Sequence, residues 1–108
     1  MSAKILQLNF TFNVLRADYE GVVSPLANDF AEVPGLLWKI WLMNEAGSEA
    51  GGIYLFEDES SLTAYLEGPL AAAVKSHPAL SDLSAKQFDV MEELTAITRG
   101  PVDAARVP

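Results

Sequence analysis

The sequence contains no cysteine and only one histidine among its 108 residues. Without cysteine the chain can form no disulfide, no thiolate metal site and no thiol nucleophile. A single histidine also disfavours a zinc site, because zinc in proteins is held mainly by cysteine and histidine. The sequence therefore predicts no metal centre.

Basic residues are scarce as well: 7 Lys and Arg stand against 15 Asp and Glu, for a net charge of -8. Such a surface repels phosphate groups, so we expect neither nucleic acid nor a membrane as a partner. The longest apolar stretch, residues 36–43, is interrupted by Lys39 and is too short to span a bilayer. No signal-peptide core follows the first residues, so we expect a cytoplasmic protein.

Alternating apolar and polar residues predict four strands. Residues 4–13 alternate most clearly, as in a strand with one face in a core. Residues 36–44 and 50–57 are joined by a polar turn and predict a hairpin. Residues 85–92 alternate again and predict the fourth strand.

Helical spacing lies between these strands. Apolar residues recur every three or four positions over residues 18–33, where Pro25 predicts a kink or a late helix start. Asp58 is expected to cap the second helical segment, which Gly68 and Pro69 interrupt. The resulting order, β-α-β-β-α-β, predicts an α+β ferredoxin-like domain over residues 1–99. Its four-stranded antiparallel sheet would carry helices on one face, and residues 100–108 would form a C-terminal tail.

Strict alternation assigns the side chains of the second and fourth strands to faces. It places Trp38 on the helix-covered face, together with Phe88, and it places Lys39 and Trp41 on the opposite face. That opposite face is rich in apolar residues, and such patches usually mark an interface. We therefore expect a homodimer in which two sheets face each other, with Asp89 as the partner of Lys39.

Several segments resemble the YdhR-like monooxygenases. They are residues 6–10, 34–41, 49–56, 58–61, 64–67 and 86–90. The resemblance implies a dimeric α/β barrel, a superfamily with small oxygenases that oxidise aromatic polyketides or quinols without metal or flavin. It also includes relatives that bind or degrade haem. The implied function is a cofactor-independent monooxygenase for a small planar phenol, quinol or anthrone-like substrate. The alternative is a non-catalytic dimer that binds a hydrophobic metabolite or haem.

Five residues are candidates for the site under this interpretation. Tyr54 and Trp38 are the expected catalytic aromatics, because a phenol or indole can donate a hydrogen bond while its ring packs on a substrate. Asn9, Lys39 and Trp41 are candidates for substrate binding. For both tryptophans the alternative is packing in a core or interface.

Three further residues have two interpretations each. Gly51 and Gly52 predict a bulge or a close backbone approach, or else room for a ligand beside a phenol. His77 lies at the expected end of a helix, where an imidazole commonly meets free carbonyls; haem ligation or acid–base chemistry is the alternative. No residue stands out in the sequence as a general base.

Overall fold

A computed structural model describes residues 3–102 of the chain. Their elements, in chain order, are β1 (Lys4–Phe12), α1 (Arg16–Val23), a 3-10 turn (Ser24–Leu26), α2 (Ala27–Ala31), β2 (Leu36–Asn44), β3 (Glu49–Phe56), α3 (Glu59–Leu66), α4 (Pro69–Ser76), β4 (Leu80–Asp89) and α5 (Glu92–Ile97). The strands form one antiparallel sheet in the order β2-β3-β1-β4. The predicted ferredoxin-like α+β fold is therefore confirmed.

The helix breaks fall where the sequence predicted them. The 3-10 turn has Pro25 near its start and separates α1 from α2, because the proline ring excludes a continuous α-helix. Asp58 caps α3, where its carboxylate accepts a hydrogen bond from the Ser61 N–H at 2.8 Å. Gly68 and Pro69 end α3 and start α4.

The predicted bounds of the fourth strand were wrong. The strand begins at Leu80 rather than residue 85, and it contains a bulge opposite Phe10. Asp82 lies in this bulge with a φ of 55°. The extra residue breaks the alternation of residues 80–84, so the first half of the strand has no period-two pattern. The helix α5 was also missed, although Met91, Leu94 and Ile97 recur at helical spacing.

A bulge in β2 reverses the predicted faces of this strand. Leu36 pairs with Phe56 and Trp38 pairs with Leu55, so Leu37 is an extra residue with no partner of its own. Because side chains alternate, one extra residue moves every later side chain of the strand to the other face.

The two faces differ in what covers them. The helix-covered face carries Leu6, Leu8 and Tyr54, which pack with Phe30 of α2 and Leu62 of α3 in the main core. The opposite face, which we call the open face, carries Ile5, Leu55 and Phe88. Phe88 therefore lies opposite to its predicted side, paired with Ile5 on β1 and 47% exposed.

The C-terminal segment covers one end of the open face. Val102 is buried against Ala3 and Leu55, with Trp38 packed alongside. Residues 100–102 therefore contact the sheet, whereas residues 103–108 of the predicted tail lie outside the described residues. The division at residue 99 stays a prediction. None of the helices between residues 3 and 102 has the length and apolar composition needed to cross a membrane.

Candidate functional site

Lys39 lies on the helix-covered face because of the bulge in β2. It pairs with Tyr54 on β3, and Trp41 pairs with Gly52. A Cβ atom at position 52 would lie 2.8 Å from Lys39 Cε and 3.3 Å from the Tyr54 ring. Glycine at this position therefore leaves the space through which the lysine stem reaches the core. The room that the sequence suggested for a ligand is filled by the chain's own lysine.

The neighbouring glycine has a different role. A Cβ atom at Gly51 would collide with the carbonyl oxygen of Leu8 on β1. The strand β3 pairs with β1 in continuous register from residue 49 to 56, so no bulge interrupts it at the glycines. Of the predicted alternatives, Gly51 therefore marks a close backbone approach.

Three aromatic rings surround the lysine amine. Lys39 Nζ lies 3.5 Å from the ring centroid of Phe30, 3.5 Å from that of Trp41 and 4.6 Å from that of Tyr54. The Phe30 and Trp41 rings meet edge to face at a centroid distance of 5.4 Å. We call these three rings the aromatic box. Ring faces attract a cation, so the box partly compensates for the removal of water from the ammonium group.

Burial outweighs this attraction. Within residues 3–102 the Lys39 amine forms no ion pair with a carboxylate and donates no hydrogen bond. Loss of hydration disfavours the charged form and lowers the pKa of Lys39 from 10.5 to about 7. About half of the molecules therefore hold a neutral amine, which is a base and a nucleophile, at neutral pH.

The amine is also accessible. Every fully buried side-chain nitrogen or oxygen in the described part of the chain has a hydrogen-bond partner, and the Lys39 amine has none, so it retains contact with solvent. Lys39 lines a cavity of about 240 Å³ together with Ala27, Phe30 and Trp41. A second cavity of about 290 Å³ shares Ala27 and Trp41 with it. The Lys39 side chain thus forms part of the wall of a cleft between α2 and β2.

Tyr54 of the aromatic box is paired with a second buried tyrosine, Tyr65. The hydroxyl oxygens of Tyr54 and Tyr65 lie 3.1 Å apart, and both side chains are buried. Burial raises the pKa of each phenol, and for Tyr54 the neighbouring Tyr65 raises it further. Both phenols are therefore neutral at physiological pH and act as hydrogen-bond donors and acceptors rather than as bases.

The sequence matches one family model, described as "Putative mono-oxygenase ydhR", over residues 5–101. That match covers most of the chain. The chain belongs to the ydhR family. A comparison with curated proteins gives no match.

Solved structures similar to this ydhR-family chain share its fold. SnoaB, a cofactor-independent oxygenase from Streptomyces nogalater, has 21% identity and a TM-score of 0.68, with 83% of this chain and 94% of SnoaB covered. MhuD, a heme-degrader from Mycobacterium tuberculosis with two hemes bound in its active site, has 19% identity and a TM-score of 0.63, with 81% and 95% covered. A protein of unknown function from Nitrosomonas europaea has 24% identity and a TM-score of 0.65, with 84% and 91% covered.

In this ydhR-family chain the five predicted site residues fall into two groups. Tyr54, Lys39 and Trp41 meet on the helix-covered face, so the predicted placement of Lys39 and Trp41 on the other face was wrong. Trp38 and Asn9 lie on the open face. The roles predicted for all five stay predictions.

Both open-face residues already have hydrogen-bond partners. The Trp38 indole N–H donates to the Pro101 carbonyl at 3.3 Å. The Asn9 amide donates to the Glu49 carboxylate at 3.3 Å and accepts from Gln7 at 3.0 Å. Neither side chain reaches the Lys39 amine, because the sheet lies between them.

Two other expectations are changed by the contacts. The predicted pairing of Lys39 with Asp89 was wrong: Asp89 accepts from Lys4 at 2.7 Å, and β3 and β1 separate the strands of the predicted pair. His77 Nδ1 accepts the N–H of Ala79 at 3.1 Å, so the imidazole meets a backbone N–H beyond the helix rather than the free carbonyls that were expected. Among residues 3–102, no three His, Asp or Glu side chains are grouped so that they could hold a metal ion.

Sequence reasoning missed Phe30 as a site residue. It is on the apolar stripe of residues 18–33, and such a stripe predicts core packing. Its ring does pack in the core, against Tyr54 and Tyr65, but its face also carries the Lys39 amine. Only the position of α2 over β2 brings the two together, and that position cannot be read from helical spacing.

Proposed function

We propose that this ydhR-family chain is a cofactor-independent monooxygenase for a small planar phenol, quinol or anthrone-like substrate. The observation that carries the proposal is the Lys39 amine, which has a pKa of about 7 and lines an apolar cleft. A base with a pKa near the working pH is best suited to proton transfer. The sequence alone had offered no such group.

Proton removal from the substrate is the first step. A planar substrate in the cleft can stack on the Trp41 ring, which is 38% exposed, with its acidic O–H or C–H bond toward Lys39 Nζ. The neutral amine takes the proton and becomes an ammonium group, and the electron pair of the broken bond stays on the substrate. The new ammonium lies beside the substrate anion and stabilises it in an environment with little water.

Reaction with dioxygen follows from the anion. An electron-rich anion of this kind transfers one electron to O₂, and the resulting substrate radical and superoxide combine to form a peroxide at carbon. The peroxide takes up the proton held by Lys39 and loses water, which leaves a carbonyl group. For an anthrone the balance is one O₂ consumed, one quinone carbonyl formed and one water released. The lysine amine returns to its neutral form.

Two comparisons support this proposal beyond the family. SnoaB is a cofactor-independent oxygenase and shares the fold. MhuD shares the fold and binds two hemes in its active site, so the fold also accommodates flat, largely apolar ligands. Fold likeness alone does not fix an activity, which is why the lysine amine carries the argument.

Oxygen uptake tests the proposal. Metal-free protein mixed with a panel of anthrones and quinols should consume oxygen in proportion to substrate, with the quinone as product. Absence of uptake across the whole panel would overturn the proposal. Native mass spectrometry of freshly purified protein would then test the alternative: a hydrophobic ligand or haem that is retained and recovered unchanged after exposure to O₂ indicates a binding protein.

We further propose that the chain works as a homodimer assembled through the open face. Ile40 is 50% exposed and Phe88 is 47% exposed there, and Met91, Leu94 and Ile97 add an exposed apolar strip on α5. Helices α1 to α4 pack on the other side of the sheet, and residues 100–102 cover only one end of the open face. A second sheet is the simplest cover for the exposed apolar residues that remain. Asn9 and Trp38 would then lie near the seam between the two sheets.

Charge substitution on the open face should separate the protomers. Ile40→Glu combined with Phe88→Glu is expected to weaken association by about 100-fold or more, because each burial of an unpaired carboxylate costs several kcal/mol. Sedimentation at micromolar concentration should give twice the chain mass for the wild type and one chain mass for the variant. Leu15→Glu is the matched control, since Leu15 is exposed but lies at the start of α1. A monomeric wild type would contradict the proposal.

A further inference from the structure

The chain combines the absence of any thiol with a lysine that lines a cavity. It has no cysteine, so no thiol competes with its amines for an electrophile. Of its lysines, Lys39 lines a cavity, and no carboxylate between residues 3 and 102 forms an ion pair with it. Lys4 is paired with Asp89, while Lys75 and Lys86 are exposed to water.

We infer that Lys39 is a covalent acceptor for quinones with a free ring carbon–carbon double bond, and that this limits the substrate to fused, anthrone-like ring systems. The limit on the substrate rests on the proposed function, whereas the reaction of Lys39 with quinones does not. Lys39 and Trp41 both line the cavity of about 240 Å³, the Trp41 ring is 38% exposed, and the amine lies 3.5 Å from the centroid of that ring.

The addition step needs no further reagent. The nitrogen lone pair of the neutral amine attacks the free carbon of the quinone double bond and forms a carbon–nitrogen bond. The electron pair of that double bond moves to the far carbonyl oxygen. One proton moves from nitrogen to that oxygen, the proton on the attacked carbon moves to the second carbonyl oxygen, and the ring becomes an amino-substituted hydroquinone. All atoms of both reactants are retained in the adduct, and a desolvated lysine is the kind of amine that reacts in this way.

The consequence for substrate choice follows from the product. A monocyclic quinol would be oxidised to a quinone with free double bonds, released beside the amine that made it. That product would alkylate Lys39 and end turnover. An anthrone gives a quinone whose ring double bonds belong to the two fused benzene rings, so no carbon is open to addition. The position of Lys39 therefore favours tricyclic substrates over monocyclic ones.

Adduct mapping tests the reaction of Lys39 with quinones and needs no catalytic turnover. Wild-type protein at pH 7 is treated with one equivalent of 1,4-benzoquinone, quenched and analysed by peptide mass spectrometry. We expect the adduct at Lys39 to form at least about tenfold faster than at Lys75, because a larger share of Lys39 is neutral. Urea-unfolded protein should lose this preference, and 9,10-anthraquinone-2-sulfonate should give no adduct.

Two results would overturn the inference. One is equal labelling of the exposed lysines and Lys39 in the folded wild type, and the other is an unlabelled Lys39. The Lys39→Met variant should lack the fast adduct, but the wild-type map is decisive even if this variant does not fold. Failure of the proposed function looks different: Lys39 is labelled by 1,4-benzoquinone, yet no anthrone supports oxygen uptake. Sustained turnover of a monocyclic quinol without an adduct would overturn the limit on substrates.

Discussion

Lys39→Met is expected to lower the rate of anthrone oxidation by about 10²–10⁴-fold, the range that a positioned base contributes to catalysis. Methionine keeps an unbranched apolar stem over Gly52 and removes only the amine. The effect should fall on kcat more than on KM, because the aromatic rings that would hold the substrate remain. An oxygen electrode with a range of substrate concentrations measures both constants.

Two further variants separate the possible roles of the lysine. Lys75→Met, at the end of α4 and exposed, should leave turnover unchanged and controls for the loss of one positive charge. Lys39→Arg keeps a cation beside the substrate but provides no base, since a guanidinium group stays protonated. It should therefore bind an anionic product analogue while turning over slowly. Wild-type turnover by Lys39→Met would rule out the amine as the base.

Much of the fold could be predicted because its signals are local. A proline in the helix interior removes a hydrogen bond wherever the helix lies, so the break at Pro25 is present. The cap at Asp58 likewise depends only on the next few residues. The order of elements follows from changes in apolar periodicity, and it determines the topology of a ferredoxin-like sheet.

The face of Lys39 could not be predicted in the same way. Residues 36–43 are apolar except for Lys39, so their pattern contains no alternation from which a register can be read. One extra residue at Leu37 then decides which side chains point to the helices. The signal in the sequence that points to the bulge is Gly52, because it leaves space for a long side chain on the paired strand.

The same error changed the interpretation of the interface. The open face carries polar residues such as Gln7 and Lys86 beside its apolar ones, and the exposed apolar residues include Ile40 and Phe88 rather than Trp41. Trp41 instead packs edge to face on Phe30. In a strand that is almost entirely apolar, a one-residue shift hardly changes the number of apolar residues on each face. The same shift moves a single lysine to the other face.

The stability of the protein should depend on pH through Lys39. Its pKa is about 7 in the folded chain and returns to about 10.5 on unfolding. Between these values the unfolded state binds more protons, so the free energy of unfolding rises with pH. Below pH 7 the amine is protonated in both states and the cost of holding it in the aromatic box is fully present; above pH 10.5 it is neutral in both states.

Other titrating groups near the amine do not mimic this effect. The titratable residues on α1, α2 and β3, with the partner of Tyr54 on α3, are Arg16, Asp18, Tyr19, Glu20, Asp29, Glu49, Tyr54 and Tyr65. Burial raises the pKa of the three tyrosines, so they lower stability only above pH 10, where the unfolded chain loses its phenol protons first. None of the four carboxylates forms an ion pair with Lys39.

Urea unfolding at pH 7 and pH 9 therefore isolates the lysine. The free energy of unfolding of the wild type should be higher at pH 9 by roughly 2 kcal/mol, from 1.4 kcal/mol per pH unit reduced by partial titration at pH 7. Lys39→Met should be nearly flat over this range and more stable than the wild type at pH 7, because no charge is desolvated. Asp89 keeps Lys4 as its partner, so the substitution leaves no carboxylate unpaired. The contrary result is a wild type whose free energy of unfolding changes with pH as little as that of Lys39→Met. It would mean that the Lys39 amine is fully hydrated and has an ordinary pKa, and Lys39 could then not act as the proposed base.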